Sequence, residues 1–286
     1  MNTKSYRRYF PVFVLPTLIA FTLAFIVPFV MGVYLSFCKF NTVKDAKWVG
    51  LKNYITIFTA KDSTFVDTLL RTTKFTIIGV IIINVGAFFL AYFLTKKVPG
   101  TNIFRTIFFM PNLIGGIVLG YIWKEILDTF CQKVFGHVFG YSGANYGFWG
   151  LIVVMAWQLM GYMMIIYIAG IQNIPEDVME AARIDGATPS QILRKITIPL
   201  VMPSITICMF LSISNLFKLY DQNYALLGFS SKTNLVAMDI FDTFYNHTTN
   251  EFSEGMGQAK AVIFFILVAV ITFIQLRVTR QKEVEQ

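Results

Sequence analysis

Charge is what this chain has least of. Asp, Glu, Lys and Arg make up 14% of its 286 residues, where soluble domains carry roughly 25%. A soluble protein of this length could bury a large core, but it would still need polar surface to cover that core. Too few charges are present to make one, which excludes an ordinary soluble fold. Histidine is nearly missing as well. His137 and His247 are the only two, and neither lies near a cysteine or a carboxylate pair, so metal-ligand spacing is absent. The cysteines are Cys38, Cys131 and Cys208, with nothing in their spacing to imply a pair. There is no internal repeat, low-complexity tract or long linker, which argues for one membrane domain, residues 1–286. A phosphate-binding loop is lacking too. Gly228–Thr233 ends in Lys-Thr, but it has no second glycine before the lysine and follows an apolar run rather than a strand. The chain therefore carries no ATPase of its own, and the reading is not an enzyme.

What is present is hydrophobic length: 56% of the residues are hydrophobic and 16% aromatic. Phe10–Cys38, Phe75–Thr95, Thr106–Trp123, Val134–Pro175, Ile196–Phe217 and Ala261–Leu276 are free of formal charge. A helix crossing ~30 Å of hydrocarbon needs ~20 apolar residues. The spacing predicts an all-α polytopic membrane protein with six spans, near 11–37, 69–95, 104–126, 148–171, 203–223 and 257–277. The first run is far longer than the apolar core of a signal peptide, so it reads as a retained span. The net charge of +8 would suggest nucleic acid in a soluble chain; here its distribution matters more, and no nucleic-acid partner is expected. With both termini inside, cytoplasmic segments hold 12 of the 24 basic residues. Seven more between Lys39 and Lys74 run against that bias. Short helices are expected within Trp48–Phe58 and within Thr233–Asn246, and an external turn over Asp128–Gly147.

Between the fourth and fifth spans the chain changes character. Residues 180–203 read EAARIDGATPSQILRKITIPLVMP. Pro175 with Glu176 and Asp177 is a helix start, because proline is tolerated in a first turn and acids suit the positive end of the dipole. That helix is expected to end at Asp185, with Gly186 in the left-handed position glycine tolerates best. Thr188-Pro189 opens a second helix. A linker between neighbouring spans needs only a few residues. A loop (174–202) that encodes its own caps reads better as a docking surface for another protein.

These residues resemble the EAA loop of ABC-importer permease subunits, whose pattern is Glu-Ala-Ala, three residues, then Gly. Glu180, Ala181, Ala182 and Gly186 supply it, with Arg183 and Asp185 between. The longer carbohydrate-importer form, EAAxxDGAxxxQxFxxIxxPxxxP, is matched by Asp185, Ala187, Gln191, Ile196, Pro199 and Pro203, with Leu193 where phenylalanine is usual. Trp48–Phe58, Phe104–Ile114, Trp157–Pro175 and Phe217–Leu227 are similar to other segments of that family, in its maltose- and glycerol-phosphate-like branch. Gly228–Lys232 departs from the family's Gly-Gly-Pro turn. The resemblance implies a type I importer permease fold and a multi-pass protein of the bacterial inner membrane. It implies a second homologous permease subunit, a cytoplasmic ATPase dimer that holds the ATP and Mg, and an extracellular binding protein that delivers a sugar. No cofactor is implied on this chain. Glu180 would pair either with a base on the ATPase or with Arg183 of its own helix.

Spans four and five flank the loop and are the candidates for the solute path. Trp157, Met160, Gly161 and Met164 share one face by helical spacing, and Ser214, Phe217, Lys218 and Asp221 share another. A lysine at mid-span costs ~2.5–3.5 kcal/mol on insertion scales, so it should face water or a partner. Snorkelling of Lys218 and plain helix packing are the competing readings. Function likewise keeps alternatives: an importer of a non-sugar solute, or a secondary transporter or channel.

Overall fold

The computed structural model describes residues 3–40, 42–60, 63–96, 99–139, 144–229, 232–245 and 254–283. His247 and parts of the turns read above at 140–143, 230–231 and 246–253 lie outside the described residues. The chain divides into two compact units, Met1–Phe65 with Ile240–Ile266, and Val66–Asp239 with Leu267–Gln286.

In the first unit, α1 (Thr3–Phe21) and α2 (Val27–Ser36) are joined by a π-helical turn, Thr22–Ile26. Pro28 explains the turn. It lacks an N–H and its ring crowds the carbonyl four residues back, at Ala24, inside the wider turn. The same device recurs in the second unit, where the π turn Leu193–Thr197 contains the carbonyl four residues before Pro199. After α2 come two short antiparallel strands, β1 (Cys38–Lys39) and β2 (Lys47–Trp48), and then α3 (Lys52–Thr59). The sequence pattern indicated α3 but not the strands, which are too short to show a period of two.

Apart from Phe65, the second unit holds the helices that follow α3 up to Asp221–Leu227, while the residues of Val236–Tyr245 and Glu254–Arg280 are divided between the two units. α4 (Phe65–Leu94) absorbs the mixed segment before the second apolar run into its first turns. α5 (Thr101–Phe109) passes through a 3₁₀ turn at Met110–Leu113 into α6 (Gly116–Phe135), bent by 103°. A single span near 104–126 was expected. Pro111 and the Gly115-Gly116 pair interrupt it, and α6 runs well into the expected turn. α7 (Ala144–Gln172) is the central helix: 67% of its most apolar window is buried, against 39% in α4. Then follow α8 (Glu176–Ile184), α9 (Pro189–Ile192), α10 (Ile198–Leu200), α11 (Met202–Phe217), α12 (Asp221–Leu227), α13 (Val236–Tyr245) and α14 (Glu254–Arg280). The pair Pro189–Leu200 and Met202–Phe217 is bent by 68°. By length and composition four helices can cross a membrane, or six if each bent pair is one crossing.

Small residues set the close approaches, as expected where apolar burial drives no association. A side chain on Gly161 of α7 would collide with the Phe108 carbonyl of α5. Polar groups tie three helices together. Tyr167 O–H of α7 donates to Asn84 Oδ1 of α4 at 2.8 Å, and Asn84 Nδ2 donates to Ser212 Oγ of α11 at 3.0 Å.

Candidate functional site

Two features of the second unit depart from apolar packing: the α8–α10 loop and a cavity at the far end of α11.

The loop is built from its caps. Pro175 is extended at the N-cap of α8, followed by Glu176 and Asp177, and Arg183 stands in the last turn, so the charges complement the helix dipole. Gly186 has φ +77°. Its N–H donates to Arg183 O at 3.1 Å, and Ala187 N–H donates to Ala182 O at 3.0 Å. This pair is the Schellman closure, which satisfies carbonyls the helix end leaves open. Thr188 then opens α9 with a reciprocal box. Its N–H donates to Gln191 Oε1 at 2.7 Å, and Gln191 N–H donates to Thr188 Oγ1 at 3.4 Å. Glu180, Ala181, Arg183, Asp185 and Gly186 are exposed and Ala182 is half-buried. Val178, Ala181 and Ile184 recur at three-residue intervals and leave an apolar stripe in the open; Ile184 is 85% exposed. Ile192 and Thr197 face inward instead. The loop thus has one side packed against the protein and one side exposed.

The cavity measures about 310 Å³ and is lined by Asn112 from the α5–α6 break, Met155, Gln158 and Leu159 from α7, Asn215 from α11, and Lys218, Leu219, Tyr220, Asp221 and Gln222 from the α11–α12 junction. Helix α11 stops at Phe217, Lys218 is its C-cap, and Asp221 starts α12. The helical face expected to run from Ser214 to Asp221 therefore ends at Phe217. An amide relay holds the wall. Gln158 Nε2 donates to Ile114 O at 3.2 Å, a carbonyl freed by the break, and Gln222 Nε2 donates to Gln158 Oε1 at 2.8 Å. Close contact completes it: a Cβ on Gly120 of α6 would lie 2.5 Å from Ala225 Cβ of α12. Beside the cavity Tyr220 and Tyr224 stack at 5.8 Å and 7°.

Of the path residues expected from sequence, Lys218 and Asp221 line this cavity. Phe217 and Met164 are enclosed by packing, and Ser214 is half-buried. Met160 lies against Gly86 and Gly161 against Phe108. Trp157 is half-exposed and meets Trp123 edge-on at 5.4 Å. Met160 and Gly161 thus make helix contacts while Trp157 stays half-exposed, and the α7 residues lining the cavity are neighbours of this stripe. Sequence reasoning missed Asn112, Gln158, Asn215, Tyr220 and Gln222. The available signal was a lone amide, Gln158, in a long uncharged run, since a polar side chain inside a span must find a partner. Together the lining offers amide donors and acceptors, one ammonium and one carboxylate. That set suits binding and release of a hydroxylated solute.

Residues 83–283 match the family described as binding-protein-dependent transport system inner membrane component. Over 281 residues the chain is 39% identical to a probable starch degradation products transport system permease protein of Thermoanaerobacterium thermosulfurigenes, covering 96% of this chain and 94% of that one. It is 27% identical over 279 residues to a trehalose/maltose transport system permease protein of Thermococcus litoralis, covering 92% and 91%. Among solved structures, a bacterial ABC transporter involved in the import of the acidic polysaccharide alginate aligns with a TM-score of 0.80, 17% identity and 97% and 98% coverage. At that identity the likeness concerns the fold.

Proposed function

The chain belongs to the family of binding-protein-dependent transport system inner membrane components, and on that premise we propose that it forms half of the membrane pathway for a sugar or oligosaccharide. As a member it is a multi-pass permease of the bacterial inner membrane and not an enzyme. Its transport depends on a substrate-binding protein. In our reading a second permease subunit completes the pathway, a cytoplasmic ATPase dimer holds ATP and Mg, and both termini are cytoplasmic, with residues 1–286 acting as one membrane domain.

The observation that carries the cargo is the amide-rich cavity at the α11–α12 junction. Sugars need polar groups for their hydroxyls and an aromatic face for their C–H surface. Gln222, Asn112, Asn215, Lys218 and Asp221 supply the first, and the Tyr220–Tyr224 stack the second. The names of the relatives, for starch degradation products and for trehalose or maltose, favour the same cargo.

Coupling follows from connectivity. The ATPase would grip the exposed stripe of α8 beside Glu180, Arg183 and Asp185. The Schellman turn and the Thr188 box make the loop stiff. α9 and α10 lead into α11, a rod of about 24 Å that ends at Lys218. A tilt of the loop would then move Lys218 and Asp221 at the cavity. The test is uptake of labelled malto-oligosaccharides and trehalose by Lys218→Met and Asp221→Asn variants, with Gly186→Val as the coupling variant. A β-branched residue is strained at positive φ. Expected are changed half-saturation for the first two and a lost rate with retained binding-protein contact for the third. Unchanged uptake in the cavity variants would remove the site, and normal uptake in Gly186→Val would remove the coupling.

A further inference from the structure

The last turns of α14 belong neither to the cavity nor to the α8–α10 loop, yet what they bury is polar. Between residues 261 and 283 only Gln275 and Thr279 are buried. They stand one turn apart on one face of the helix. Glu283 follows just past the end of α14, where its N–H donates to Arg280 O at 3.2 Å. These groups meet one residue of α11, and all of them lie in the second unit. Gln275 Nε2 donates to Thr206 O at 3.3 Å and to Thr279 Oγ1 at 3.2 Å. The Thr279 hydroxyl donates in turn to Gln275 O at 2.9 Å. Thr206 Oγ1 lies 2.7 Å from Glu283 Oε1 and 3.0 Å from Met202 O. A hydroxyl has one proton to give, and the shorter contact, to a carboxylate, is the stronger.

The place of this contact matters. Thr206 is the first buried residue of α11. The 68° bend between Pro189–Leu200 and Met202–Phe217 lies just before it, so any movement of the loop enters α11 here. An apolar contact would resist separation but not sliding, because apolar burial has no direction. Hydrogen bonds have limits of distance and angle, so they fix register as well. Thr206 is held through its carbonyl by one side chain and through its hydroxyl by another. At this point α11 can pivot, but it cannot slip along α14 without breaking both bonds.

We propose that Gln275, Thr279 and Glu283 are positioning residues for transport, which clasp Thr206 and make the end of α14 the fulcrum on which α11 turns. The proposal rests on the coupling read above, in which the loop drives α11. Glu283 supplies the charged half of the clasp. Gln275 supplies the other half, and Thr279 acts through it by orienting its amide. Without the clasp a push on the loop is lost as slip, and ATP is hydrolysed with little movement of Lys218 and Asp221 at the far end of the rod.

The experiment uses the assembled importer in proteoliposomes. Thr206→Val keeps the shape and removes the hydroxyl, Thr206→Ser keeps the hydroxyl, and Glu283→Ala removes its acceptor. Spin labels on Ile207→Cys and Arg280→Cys, exposed positions beside the clasp, report the register by electron paramagnetic resonance, the natural thiols being buried. Labelled malto-oligosaccharides and trehalose give the sugar moved per ATP hydrolysed. Expected is a narrow distance distribution in the natural chain and in Thr206→Ser, and a broader one in Thr206→Val and Glu283→Ala. Sugar per ATP should fall roughly five-fold in those two, with no further loss when they are combined. Identical distributions in every form, equal damage from Thr206→Ser and Thr206→Val, or additive losses in the double variant would overturn the clasp. Broadened distances with natural sugar per ATP would overturn the fulcrum. If Gly186→Val then also transports normally, the coupling it rests on falls with it, whereas a Gly186→Val defect would leave that coupling standing.

Discussion

Gly161 sets how closely α7 approaches α5, and it can be ranked against other glycines. A Cβ there would run into the Phe108 carbonyl, which is backbone and has nowhere to go. At Gly86 the same atom would meet Met160, with Cε at 2.5 Å and Sδ at 2.9 Å, and an unbranched thioether can swing aside. At Gly115 nothing lies within 4 Å, and φ is −59°, so alanine fits both the space and the backbone. The expected order of damage on substitution by alanine is Gly161, then Gly86, then Gly115. Overpacking typically costs about 1–3 kcal/mol, so Gly161→Ala should lower the Tm of the detergent-solubilised protein by several degrees while Gly115→Ala leaves it unchanged. A Gly161→Ala protein as stable as the natural one would mean that α5 and α7 do not touch there.

At the level of elements, the caps of the α8–α9 hinge carry a second prediction. Thr188→Ala removes the acceptor for Gln191 N–H, and losing such a cap costs about 1 kcal/mol. Amide exchange at Gln191 and Ile192 should then quicken roughly five-fold, and transport per ATP should fall because the loop yields before α11 moves. Unchanged exchange with reduced transport would separate the cap from the coupling. This hinge is also where sequence and structure agree best. A helix from Pro175 to Asp185 was expected and Glu176–Ile184 is found; Gly186 and Thr188 sit where their local chemistry puts them, because a cap is decided within four or five residues. The bends at α5–α6 and α11–α12 were not legible. Pro111, Gly115 and Gly116 mark a weak point, but the 103° turn is held from far away, by Gln158 on Ile114 and by α12 against Gly116 and Gly120. The same holds for the cavity. Lys218 and Asp221 stood out as charges beside an apolar run, whereas Asn112, Asn215 and Gln222 acquire meaning only when the two breaks meet.

For the molecule as a whole, the open question is how often the chain crosses the bilayer, and it turns on α5 and α6. If the bent pair Thr101–Leu113 and Gly116–Phe135 crosses once, the turn after α4 and the α8–α10 loop lie on the same side, with α7 as the return. If the pair is re-entrant, they lie on opposite sides. α6 favours a crossing by length, since its 20 residues span about 30 Å, although Lys124, Glu125 and Asp128 must then reach an interface or a partner. Native thiols do not interfere, because Cys38, Cys131 and Cys208 are free but buried. Lys96→Cys and Ile184→Cys place thiols at exposed positions after α4 and on α8. With a membrane-impermeant maleimide, both are expected to react in inside-out vesicles and neither in right-side-out ones, while the natural chain stays unlabelled in both. Labelling of the two from opposite sides would make α5–α6 re-entrant and leave five crossings. Labelling of both from the outside would keep six and reverse the orientation, placing α8 where no ATPase can reach it.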